Sequence, residues 1–172
     1  MSRRSAITTS QGVDAVPASV LALTDLPRVD YVDHFASPTA VDADPERWAR
    51  AMFGDVPDLG ERFIWSGLLG LRLAPGRSPG TVAGWRIAAR GAGWLRLTAE
   101  GRFFGGNLVV RSPQNPDRPG EVSLTTLLHY RRLPASLVWA PLSAVHRRLV
   151  PGVLEHAERR VATAAGSADV PW

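Results

Sequence analysis

Along the second half of the chain the apolar positions change period once, around Arg131 to Pro134. Before that point Val122, Leu124, Thr126, Leu128 and Tyr130 fall on every second residue of 121–131, as a half-buried strand requires. After it Trp139, Leu142, His146, Leu149 and Val153 are spaced 3, 4, 3, 4, which predicts the seam of a long helix over 135–161. A strand delivering its chain into a helix that packs back on the same sheet makes a sheet gripping a helix. That arrangement can leave a cavity between the two layers. Pro141 and Pro151 fall inside the helical stretch. Each removes a backbone donor and crowds the preceding turn, at a cost of roughly 3 kcal/mol in an unkinked interior. Bends are expected at both, with Pro141 an alternative start of the main helix.

Upstream, the pattern reads as strands around a helical insertion. Within 29–36, Val29, Tyr31, Asp33 and Phe35 share one side, an edge strand with Asp33 and His34 near solvent. Asp44-Pro45-Glu46 is a helix start, with Trp48 and Met52 on the buried face and Gly54 as the stop. Pro57-Asp58 opens a second helix, with Leu59, Phe63 and Leu68 on its apolar side and Ile64 and Trp65 beside them, ending near Gly67 to Gly70. Three strand-like runs follow a Pro/Gly-rich loop: 84–90, 94–100 and 102–111. The links Gly91-Ala92-Gly93 and Gly101 suit tight hairpins, and Gly105-Gly106 implies a bulge or bend. A polar loop over 112–120 leads to the last strand. Residues 1–26, low in period and rich in Ser, Thr and Ala, read as a mobile leader. The domain is then 27–163 and 164–172 a flexible tail.

With 172 residues, 45% of them hydrophobic and 21% charged, the chain fits one soluble domain with a substantial core. All 20 cationic residues are Arg, a pattern that GC-rich coding bias explains, so the pI near 10.8 carries little information. The arginines are scattered, where a nucleic-acid-binding arm would be dense. No nucleic-acid partner is expected. Cys is absent, which excludes disulfides and thiolate chemistry. No apolar run approaches the ~18 residues of a membrane span. No signal-peptide core follows Arg3-Arg4, so a cytoplasmic protein is expected.

Four segments resemble a known family: Gly84 to Ile87, Trp94 to Gly101, Gly105 to Leu108, and Trp139 to Arg148 with Pro141, His146 and Arg147. They are similar to the bacterial family DUF 2867, within the helix-grip (START-like, SRPBCC) superfamily, and the likeness covers about 31–161. Some relatives carry this domain behind an NAD(P)-binding domain. This chain has no such glycine-rich unit, so no cofactor is carried over. Phe103 to Asn107 also departs from the apolar-Pro-Gly found at that place. The family's activity is unassigned. The resemblance implies a fold with an internal cavity, used across the superfamily to hold lipids, polyketides or other apolar molecules and sometimes to cyclise them.

His146 is the first chemical candidate, as an acid/base on the helix seam or as a structural imidazole bonded in the core. Arg86 and Glu100, on neighbouring strands, either support it or form a surface cross-strand pair. His129 points away from the cavity by alternation, and no histidine pair has metal-ligand spacing, so no metal is expected. No nucleophile elbow or dinucleotide fingerprint is present. The aromatic set is core or, around a cavity, lining. Trp65, Trp85, Tyr130 and Trp139, with Leu97, Leu128, Leu142 and His146, are the expected ligand-binding residues.

The expected fold is therefore α+β and helix-grip: a curved antiparallel sheet of six or seven strands around a kinked C-terminal helix. Three functions follow. One is non-covalent binding of a small apolar or amphipathic molecule. Another is a cyclase-, isomerase- or dehydratase-like enzyme using His146. The third is a filled-core interaction domain, such as a homodimer formed through a sheet edge. A cavity well under ~300 Å³ favours the third.

Overall fold

The computed structural model describes residues 6–113 and 120–166. Its frame is one antiparallel sheet of eight strands. These are β1 (Thr8–Gln11), β2 (Tyr31–Thr39), β3 (Leu71–Arg72), β4 (Thr81–Val82), β5 (Trp85–Gly91), β6 (Trp94–Gly101), β7 (Phe104–Arg111) and β8 (Gly120–Tyr130). The spatial order is β1-β2-β8-β7-β6-β5-β4, with β3 paired to β6 off that path. Four helices accompany the sheet: α1 (Ala18–Leu21), α2 (Pro45–Phe53), α3 (Leu59–Arg62) and α4 (Pro134–Gly166). The class is α+β, an open antiparallel sheet with a long C-terminal helix. No helix of the described residues is long and apolar enough to cross a membrane.

The period-two face of β8 is the core face. Val122, Leu124 and Leu128 share one apolar cluster with Phe35 of β2, Trp48 of α2, and Trp139, Leu154 and Val161 of α4. The buried positions of α4 are Ala135, Trp139, Ser143, Val150, Leu154, Ala157 and Val161. This stripe advances mostly by four, so Val150 takes the place expected of Leu149, which is 54% exposed. Nor do the prolines divide the helix: α4 runs from Pro134 through Pro141 and Pro151 without a break. Pro141 is exposed, and so is Leu137, whose carbonyl loses its usual donor. Water can hydrate that carbonyl, which moderates the penalty.

Local chemistry sets α2. Asp44 caps it by accepting from the Glu46 and Arg47 amides, Pro45 starts it, and Gly54 ends it with φ 76°. Asp58 caps α3 in a reciprocal box with Glu61, and the chain then widens into a π-helical turn over Phe63–Leu68. Of the apolar residues that predict this helix, Leu59 is 86% and Phe63 64% exposed. Ile64 and Trp65 turn inward instead and pack on the main cluster.

Three further features differ from the sequence reading. β2 is an inner strand, lying between β1 and β8, so Asp33 and His34 are buried and not near solvent. The stretch read as a leader supplies β1 and α1, and Val16 and Val20 cover Val32, Val109 and Leu127 on the sheet's second face. β7 runs in continuous register past Gly105 and Gly106, and the irregularity falls in β5 between Ile87 and Ala89. Gly106 is needed for closeness: a Cβ there would stand 3.1 Å from the Trp85 ring. The expected loop over 112–120 and tail over 164–172 lie largely outside the described residues.

Candidate functional site

Between the core face of the sheet and α4 lies a hollow of about 120 Å³. Its deep walls are Trp85 of β5, Leu108 of β7, Leu124 and Thr126 of β8, and Trp139 and Val150 of α4, all buried. Phe53 closes it from the end of α2 and Trp65 from the π turn. Their rings meet edge to face at 5.9 Å and 69°, and Trp65 meets Trp85 at 5.6 Å and 86°. Lining residues grow more exposed toward Glu61 of α3 and toward Val145 and Leu149 of α4, so the hollow opens there. The volume is below the ~300 Å³ at which ordinary ligand pockets begin. By that measure the volume falls on the side of the filled-core interaction domain and against a carrier of lipids or polyketides. An apolar cavity of about 150 Å³ nonetheless takes a benzene ring, which sets the scale of a guest.

The wall toward β2 carries a buried polar chain. His146 Nε2 lies 3.2 Å from Asp33 Oδ2 and 3.1 Å from Thr126 Oγ1. A carboxylate only accepts, so Nε2 carries the proton that Asp33 receives, which leaves Nδ1 as the basic nitrogen of the neutral ring. The Tyr31 hydroxyl donates to Asp33 Oδ2 at 2.5 Å. Burial, and then the Asp33 charge, push the Tyr31 phenol far above its ordinary range. Tyr31 in turn stands edge-on to Trp139 at 5.1 Å, and Trp139 lies 5.6 Å from the His146 ring. The imidazole is thus held by aromatic rings and by a carboxylate that reaches no solvent.

Of the residues expected to line a cavity, Trp65, Trp85, Trp139, Leu142 and His146 do so. Leu97 and Leu128 are buried in the core beside it and do not reach it, and Tyr130 packs edge-on to Phe104 at 5.8 Å. Arg86 and Glu100 do not support His146. Both line a shallow groove with Arg72 and Thr98, and Glu100 pairs with Arg131 at 3.1 Å. Arg86 stands opposite Thr81 and Thr98, so the expected Arg86–Glu100 pair is absent too. Alternation put Arg86 opposite the core-facing Trp85, and that face lies away from α4. His34 bonds Thr125 Oγ1 through Nδ1 at 2.7 Å, with burial pushing its pKa down, and His129 bonds Asp30 at 2.9 Å.

Much of the lining was not among the expected ligand-binding residues, including Phe53, Leu108, Leu124 and Val150, and the polar members Asp33, Thr126 and Glu61 were not expected in the site at all. Asp33 and Thr126 each sat on a correctly assigned face, which was the available signal. Glu61 is marked only by its place in the capping box. Burial raises its carboxyl to about 7, against a lowering hydrogen bond from the Asp58 amide. Among the described residues no three His, Asp or Glu side chains gather as metal ligands. No protein-family model matches the chain, and neither does any curated protein or solved structure.

Proposed function

We propose that this chain is a binding protein for a small, largely apolar guest, held between the sheet and α4, within a helix-grip fold of the DUF 2867 kind. The observation that carries the reading is the hollow itself. Close-packed interiors keep few voids larger than a water molecule, whereas this one has about 120 Å³, aromatic walls and an opening to the surface. The open antiparallel sheet with its long terminal helix supports the fold assignment. The volume limits the guest to about one ring or a short branched chain. Lipids and polyketides fall outside the proposal.

The test uses benzyl alcohol as probe. It raises the thermal midpoint of the wild-type chain in a concentration-dependent way, and Leu142→Trp, which fills the hollow, abolishes the rise while the variant stays folded. An equal response of both chains, or no response of either, ends the reading. A second reading, proton transfer within the bound guest by His146, is favoured by one contact, the buried Asp33 carboxylate behind the imidazole.

A further inference from the structure

Resting on the proposed cavity, we infer that its guest is an amphipathic amine, with a ring-sized apolar body directed inward and an ammonium group at the mouth against Glu61 and the face of Trp65. Charge decides the class first. All 20 cationic residues of the chain are Arg, yet among the described residues none lines the hollow. A carboxylate or phosphate guest would be desolvated there without a guanidinium to meet it, which is costly for any anion. The ionisable groups at the lining are Glu61 and His146, with Asp33 wholly buried behind the latter.

Glu61 is the second argument. The acids Asp25, Asp30, Glu46, Asp55 and Glu100 each meet an arginine. Glu61 meets none among the described residues, and its Oε2 accepts only from the Asp58 amide, at 2.9 Å. The carboxyl is half-buried against an apolar hollow, and that burial holds its pKa up near 7. A cation at the mouth supplies the partner the fold withholds. Aromatic rings give the third argument. Trp65 lines the hollow with Glu61 and meets Phe53 and Trp85 edge to face, at 69° and 86°, so three aromatic rings stand around the carboxyl's end of the hollow, and an ammonium is drawn to such rings by their quadrupole. The inner wall is mostly apolar (Leu108, Leu124 and Val150), and its one hydroxyl, that of Thr126, is engaged by His146 at 3.1 Å, so the carboxylate of Glu61 sets the orientation.

Three probes of one shape separate the outcomes: benzylamine, benzyl alcohol and benzoate, titrated into the wild-type chain and Glu61→Gln at pH 8 by calorimetry. Benzylamine is expected to bind the wild type at least tenfold more tightly than benzyl alcohol, and benzoate not at all. Glu61→Gln, which keeps the cap, should bring the amine down to the alcohol's affinity and leave the alcohol unchanged. Lowering the pH to 5.5 protonates Glu61 and should erase the wild-type preference. Glu61→Gln is titrated at pH 5.5 as well, since His146 lines the same hollow in both chains and a pH effect that the variant shares belongs to it and not to Glu61. Equal affinity for amine and alcohol in the wild type, or a preference that survives in Glu61→Gln, overturns the amine assignment and leaves the cavity reading standing. No binding of any probe overturns both.

Discussion

Asp33 is the residue on which the interior depends most. Its carboxylate receives the Tyr31 hydroxyl and the His146 imidazole and has no access to solvent. Removing one partner of such a buried set strands the others, which costs about 3 kcal/mol or more. Asp33→Ala is therefore expected to lose about 3 kcal/mol in urea unfolding, and a loss under about 1 kcal/mol would show the polar chain to be dispensable. The sequence held half of this. Alternation placed Asp33 on the face of Tyr31 and Phe35, and helical spacing placed His146 on a core-facing seam. What could not be read was strand order. With β2 taken for an edge, the acid belonged in water; with β1 paired outside it, the same acid faces α4. Pairing across 113 residues leaves no mark in local pattern.

At the scale of elements, legibility followed how local the determinants are. α2 was readable to its ends because its cap, first residue and stop all lie within the segment. α3 and the π turn that follows it were not, since Leu59 and Phe63 look like a buried face and are exposed. Glu61 now gives α3 a pH signature. Its folded carboxyl titrates at about 7 against an unfolded value near 4.5. Below 4.5 both states hold the proton and nothing is lost. Between the two values the folded state binds more protons than the unfolded, so stability falls as pH rises, and the deficit persists above 7. Glu61→Gln keeps an acceptor for the cap and removes the titration. It should match the wild type near pH 4.5 and exceed it at pH 8 by about 1 kcal/mol, the shift being discounted for a carboxyl that is partly in solvent. Urea midpoints at the two pH values check this, and an equal gap at both would assign the difference to the cap instead.

The molecule as a whole is a sheet covered on both faces, and only one cover was visible in the sequence. α4 announces itself over 33 residues. The second cover is short: α1 spans four residues, too few for a helical period to emerge from the Ser- and Ala-rich stretch around it. Its hold on the sheet is nonetheless specific. Asn107, buried in β7, accepts from the Thr24 hydroxyl at 2.6 Å and the Asp25 amide at 3.2 Å. Arg96 of β6 donates to the Leu23 carbonyl at 2.7 Å and pairs with Asp25 at 2.9 Å. Deleting residues 1–26 would strip Val16 and Val20 from Val32, Val109 and Leu127, and each fully buried Val is worth about 1.5 kcal/mol or more. The deletion would also turn β2 into an edge strand with unpaired amides and carbonyls. The shortened chain is expected to lose at least about 3 kcal/mol and to self-associate with rising concentration, which urea unfolding and light scattering measure together. A shortened chain as stable and as monomeric as the full one would mean that the sheet's second face needs no cover. The apolar residues gathered there would then have to be explained by something other than the first turn of the chain.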